Sequence, residues 1–184
     1  ATVLVMGAGS LGVTVAEYSL REGAGAVVLV DIDSGRLESA ASIDGVTVFH
    51  NDPPRNAMPE PLSQLTNGRG ADIAIDVSGA TSAVESALGW LRTGGHAVLV
   101  GSVFHSPPLP LDTESVVRKM LTITGLHNYR PEDLSEALLF LSELPPSARS
   151  LSLAGTAFPL SDIEQAVAAA ESNDHLRVVV TPSS

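Results

Sequence analysis

The apolar run Thr2–Met6 leads directly into Gly7-Ala8-Gly9-Ser10-Leu11-Gly12 and then into the helical pattern Leu11–Arg21. Strand, glycine turn and helix in immediate succession restrict what the chain can become more than any other feature. The three glycines have different roles. Gly7 permits the tight turn, Gly9 lets the backbone approach a pair of phosphates, and Gly12 allows the helix to pack closely on the strand. The amides that open the helix then point at the phosphates, with the helix dipole behind them. A glycine triplet alone is weak evidence, and its place between a strand and a helix is what makes it a candidate pyrophosphate turn.

The rest of the chain extends this unit. Ala26–Val30, Val46–Phe49, Asp72–Asp76, His96–Val100 and Leu121–Thr124 are further β-branched, almost continuously apolar runs. Helical patterns over Gly35–Ala41, Pro61–Asn67, Ala80–Leu91 and Asp112–Lys119 separate them. Such alternation predicts an α/β, doubly wound Rossmann fold: a six-stranded parallel sheet joined by right-handed crossovers and covered on both faces. Trp90, Leu88 and Leu91 read as core packing of the fourth crossover. The third helix is the weakest, because Pro53, Pro54, Pro59 and Pro61 crowd its approach, and Asp52–Pro61 reads as a surface loop.

Past Gly125 the regular alternation stops, and residues 128–184 read as a C-terminal α+β tail to a dinucleotide-binding domain over 1–127. Pro131 sits at a first helical position, with Glu132 and Asp133 in the first turn and Leu134, Ala137, Leu138 and Leu141 on one face. Pro145-Pro146 is expected to end that helix. Ser161 and Glu164 have capping-box spacing before Ile163, Ala166, Val167 and Ala170, and Arg177–Thr181 reads as a closing strand.

Charge and composition narrow the function classes. Ten basic against 21 acidic residues give a net charge of −11, a field that repels nucleic-acid backbones and anionic lipid heads. No apolar run reaches the roughly 20 residues of a membrane span, and the sequence contains no cysteine. Thiolate metal sites and a cysteine nucleophile are therefore excluded within it, and a cytoplasmic setting is the simplest expectation. The chain opens at Ala1 directly on a strand, which leads to the expectation of a domain taken from something longer.

Asp31 follows Gly12 at the end of the second strand, where a dinucleotide fold places an acid on the adenosine ribose. A 2′-phosphate there would meet Asp31 and Asp33, so NAD is favoured over NADP. Arg36 reads as a solvated partner of Asp33 or a cover for the adenine, with phosphate pairing as the competing role.

Val3 through Gly12, Val28-Leu29-Val30-Asp31, Gly68-Arg69-Gly70-Ala71-Asp72 and Asp76-Val77-Ser78-Gly79 together resemble the coenzyme domain of medium-chain zinc-type alcohol dehydrogenases. Leu91-Arg92-Thr93-Gly94-Gly95-His96, Leu121 through Gly125, Phe158 through Ile163 and Val178 through Pro182 extend the resemblance over essentially the whole chain. Within the family, Gly101-Ser102-Val103-Phe104 and Gly125 through Pro131 look most like a branch associated with phosphonate catabolism. The resemblance implies a cofactor site built from Gly7, Gly9, Ser10, Leu11, Gly12, Asp31, Ile32 and Arg36. Val77, Ser78 and Gly79 would flank its adenine side, and Val100, Gly101, Ser102, Leu126, His127 and Asn128 would hold the nicotinamide. It further implies that catalytic and structural zinc lie in an N-terminal catalytic domain missing from this chain, on which residues 128–184 pack, in cis or in trans.

No zinc site can be assembled from the residues here. His50, His96, His105, His127 and His175 are scattered one per segment, without metal-ligand spacing, and read as loop or surface residues. Asp76 and Ser78 form a carboxylate and hydroxyl pair in sequence, but no histidine has a position between them. Tyr129-Arg130 either contributes to a substrate pocket or only closes the loop before Pro131. Two readings follow: the NAD(H)-binding portion of an alcohol dehydrogenase, inactive by itself and prone to form a homo-oligomer, or a non-catalytic NAD-binding module or sensor. No catalytic residue is assigned in either.

Overall fold

A computed structural model describes residues 1–52, 57–144, 155–172 and 175–182. Its main sheet comprises β1 (Thr2–Met6), β2 (Ala26–Asp31), β3 (Val46–His50), β4 (Ala71–Asp76), β5 (Leu91–Leu99) and β6 (Thr122–Gly125). The strand order is β3-β2-β1-β4-β5-β6 and every pairing is parallel, the doubly wound arrangement expected from the alternating pattern. The crossovers are α1 (Ser10–Arg21), α2 (Ser34–Ala40), α3 (Glu60–Thr66), α4 (Thr81–Trp90) and α5 (Thr113–Arg118). Connection direction reverses between β1 and β4, so a crevice opens at the carboxyl ends of these neighbours.

Two apolar layers hold the sheet. Val3, Val5, Val27 and Leu29 face Val13, Ala16 and Leu37 on one side. Leu4, Met6, Val28 and Val30 face Leu62, Val84, Leu88 and Trp90 on the other. Residues in successive strand positions thus enter opposite layers, which is why the strands read as unbroken apolar runs rather than alternating ones. Trp90 is fully buried and meets Phe49 edge-on, as the core reading of the fourth crossover requires.

Element limits differ from the sequence expectation most at the fifth strand. It begins at Leu91, which pairs with Ala71; Arg92, Thr93, Gly94 and Gly95 then leave the ladder before His96 pairs with Ile73. The bulge is pinned at the amino end of the sheet, where Asp72 accepts the Thr2 N–H at 2.6 Å and the Arg92 Nε–H at 2.5 Å. The Thr2 amide, then Arg92, hold the Asp72 carboxyl below the usual carboxylate range. His96 is half-buried in strand β5, whereas His50, at the end of β3, is a surface residue as expected.

The tail contributes α6 (Pro131–Glu143), β7 (Thr156–Pro159), α7 (Ile163–Glu171) and β8 (Val178–Thr181), with β7 and β8 paired in parallel as a second sheet. Helix α6 docks on α1 through Phe140, which packs edge-on against Tyr18 at 5.1 Å and beneath the Arg21 guanidinium at 5.5 Å. Tyr18 donates to Glu136 at 2.6 Å, and Arg21 pairs with Glu143. The stripe Leu134, Ala137, Leu138 and Leu141 does not make this contact: Leu134 and Leu138 are 46% and 59% exposed. The capping box expected from Ser161 and Glu164 is also absent, because residues 160–162 form a 3-10 turn and the Ser161 hydroxyl donates to Asp162 at 2.9 Å. Pro53, Pro54, Pro145 and Pro146 lie outside the described residues.

Candidate dinucleotide site

The turn after β1 has the form its glycines require. Gly7 adopts φ +107°, and a side chain there would press on Val77 and Ser78. A methyl at Gly12 would collide with the Gly7 carbonyl, whereas at Gly9 nothing lies within 4 Å. Helix α1 starts from Gly9 with no side-chain cap and no acidic residue in its first turn. Its leading amides therefore face the open space above Gly9 and suit an anion.

Asp31 stands beside this turn. Its Oδ2 accepts the Ala8 N–H at 2.6 Å and its Oδ1 accepts the Asp33 N–H at 2.9 Å. The next carboxylate along, Asp33, caps α2 by accepting from the Gly35 and Arg36 amides, and the Arg36 guanidinium lies 3.7 Å from it. Arg36 is thus the partner of Asp33 that the sequence suggested.

These residues surround a cavity of about 400 Å³, within the range of small-molecule and cofactor pockets. Gly7, Gly9, Leu11, Gly12, Asp31, Ile32, Arg36, Val77 and Ser78 line it, and Leu11 and Ile32 present exposed apolar surface to it. Asn51, Asp52, Ala80, Ser82 and Ala83 also line it and were not singled out in the sequence. Asn51 is buried at the end of β3, where its N–H donates to the Asp31 carbonyl at 2.9 Å. Its place follows from the ladder, in which His50 pairs with Asp31, and nothing local in the sequence marks it.

Val100, Gly101, Ser102, Leu126, His127 and Asn128 lie outside the cavity lining, on the loops after β5 and β6. The ladder brings those loops together at the same edge, with Leu99 opposite Gly125 and the Leu126 N–H donating to Leu99 at 2.9 Å. The loop after β5 is fastened to Val77-Ser78-Gly79, because a side chain at either Gly79 or Gly101 would strike the other's backbone. Asp76 directs the fastening. Its carboxylate, 1% exposed, accepts from the Ser78 hydroxyl at 2.7 Å and from the Ser78 and Gly79 amides, and its carbonyl accepts the Val100 and Gly101 amides. The carboxylate and hydroxyl pair visible in the sequence is therefore a loop brace.

The histidines do not converge. His50 Nε2 lies 2.9 Å from the Ile32 carbonyl, His96 Nε2 2.8 Å from Thr124 Oγ1, and His175 Nδ1 2.9 Å from Thr156 Oγ1. Among the described residues no group of three or more histidine, cysteine, aspartate or glutamate side chains is placed to hold a metal ion. Arg130 bonds Asp133 through its own N–H and guanidinium at 2.8 Å, closing the loop at the start of α6.

Residues 10–143 match the zinc-binding dehydrogenase family. A sorbitol dehydrogenase of Halalkalibacterium halodurans is 29% identical over 98% of this chain and 51% of its own length. An L-threonine 3-dehydrogenase of Coxiella burnetii is 30% identical over 89% of this chain and 46% of its own. An alcohol dehydrogenase of Thermotoga maritima superposes with a TM-score of 0.87 and 25% identity, covering 99% of this chain and 50% of that one. The chain spans about half the length of the curated relatives it matches.

Proposed function

The chain belongs to the zinc-binding dehydrogenase family as its dinucleotide-binding part, and from that premise we propose that these residues hold and orient NAD(H) for hydride exchange with an alcohol or carbonyl substrate. The observation that carries the reading is the Asp31 carboxylate beside a glycine turn whose centre opens on free space. Ile32 and Arg36 enclose the adenine end with Val77, Ser78 and Gly79 flanking it, Leu11 lines the cavity beside the glycine turn, and Asp31 meets the ribose hydroxyls. The α1 amides take the pyrophosphate, and the loops 100–102 and 126–128 support the nicotinamide. Bound NAD supplies a hydride acceptor. The protein's part is position, through side chains and amides that the packing already fixes.

Zinc does not fit the residues present, since the sequence has no cysteine and its histidines are dispersed. The family's zinc sites lie in the catalytic domain, outside these 184 residues. We read residues 1–127 as the NAD-binding unit and 128–184 as the tail that meets that domain, with the exposed Leu134, Leu138, Ile163 and Val167 as its contact surface. Strand β6, exposed at the sheet edge, is the element on which we place self-association. No described helix is long and apolar enough to cross a membrane, and a cytoplasmic location is part of the proposal. A stand-alone sensor is not favoured, because the family match runs from residue 10 to 143 and the relatives are dehydrogenases about twice this length.

Calorimetric titration tests the cofactor. NAD(H) is expected to bind more tightly than NADP(H), and Asp31→Ser to narrow the gap by roughly 1–3 kcal/mol, the range of one or two charged hydrogen bonds. Equal or tighter NADP(H) binding by the unmodified chain would mean that Arg36 outweighs Asp31 and Asp33.

A further inference from the structure

Asp31 makes a bond that ribose recognition does not require. Its Oδ2 accepts the N–H of Ala8, 23 positions away, at 2.6 Å. Ala8 lies between the first two glycines and is fully buried. Beside it the Val30 carbonyl accepts the Gly7 N–H at 2.7 Å, and the Asp31 carbonyl accepts the Asn51 N–H at 2.9 Å. The end of β2 thereby joins the turn after β1 to the end of β3. The Ala8 tie runs through a carboxylate, and hydrogen bonds to a charged acceptor are about twice as strong as neutral ones.

Resting on the reading above, in which the cavity takes NAD, we propose that Asp31 is a positioning residue for the glycine turn as well as the ribose acceptor. Its carboxylate holds Ala8, and with it Gly7 and Gly9, in the shape that receives the pyrophosphate. The two roles are compatible, because each carboxylate oxygen offers a second acceptor site to a ribose hydroxyl. Cofactor choice and phosphate affinity are then coupled through one side chain. A replacement that relaxes discrimination against a 2′-phosphate also loosens the turn for NAD.

The test compares ADP with adenosine. Both carry the ribose, and ADP alone carries the diphosphate. Their affinities are measured by calorimetric competition for the unmodified chain, Asp31→Ala and Asp31→Asn, together with hydrogen exchange of the Ala8 amide in the unliganded proteins. Loss of a ribose contact weakens both ligands by the same factor, whereas loss of a held turn weakens ADP further. We expect Asp31→Ala to weaken ADP about tenfold more than adenosine and to speed Ala8 exchange by about tenfold or more. Asp31→Asn, whose amide oxygen still accepts from Ala8, should recover part of both effects. Equal weakening of the two ligands, or unchanged Ala8 exchange, overturns the proposal. Should the alanine variant lose its dispersed amide spectrum, the asparagine variant decides: a larger loss for ADP supports the held turn, and equal losses contradict it. Failure of the unmodified chain to bind either ligand sinks the cofactor reading instead, and Ala8 exchange then still reports whether Asp31 holds the turn.

Discussion

Gly9 and Gly12 stand in one turn, yet a methyl group added to each meets different surroundings. At Gly12 it runs into the Gly7 carbonyl, and at Gly9 it points into empty space. Gly12→Ala should therefore destabilise the fold by about 1–3 kcal/mol as the turn opens. Gly9→Ala should cost less than about 1 kcal/mol, the usual effect of an alanine N-cap, while weakening NAD binding at least about tenfold by blocking the phosphate approach. Urea denaturation and NAD titration of the two variants check this, and equal loss of stability in both would contradict it. The tight turn at Gly7, the close packing at Gly12 and the place of Asp31 beside them were legible because they depend on short spacings within one unit. Asp76 was not legible in its true role. Its work is to bind the loops after β4 and β5 together, and nothing local announces that Gly79 and Gly101 meet.

Among the elements, α1 and α6 make the clearest case of sequence pattern and packing parting company. Periodicity revealed that α6 has an apolar face but not what that face meets. The helix turns Leu134 and Leu138 outward and docks on α1 through Phe140, Glu136 and Glu143. Similarly, the start of β5 was hidden because Arg92 and Gly94 break the run, and the bulge depends on a distant partner, Asp72. The α1 and α6 contact has a pH signature. The hydrogen bond to Glu136, aided by desolvation and by the carboxylate's charge, pushes the Tyr18 hydroxyl up from near 10 to about 12. A folded-state value above the unfolded one means that this stability is full below pH 10 and is lost as pH rises toward 12. Denaturation between pH 9 and 12 should show a decline that Tyr18→Phe reduces, and an unchanged slope in that variant would show that the contact contributes nothing.

For the whole molecule, the strand order sets where a ligand can lie. Reversal between β1 and β4 opens the carboxyl edge, and the cavity occupies that opening between Gly7, Asp31 and Ser78. An overall charge of −11 opposes any anion, so binding must draw on the local field of the uncapped α1 amides. The loops at 100–102 and 126–128 continue the same edge beyond the cavity, the first joined to it by the Asp76 brace and the second to β5 by the Leu126 N–H on the Leu99 carbonyl. The most direct measurement is an amide chemical-shift map of the chain titrated with NADH. Saturable shifts should run from Ala8, Gly9 and Gly12 through Asp31, Ser78 and Gly101 to His127 and Asn128. Absence of saturable binding, or shifts centred on the separate cleft between Leu88 and Val116 with the glycine turn unmoved, would contradict the account.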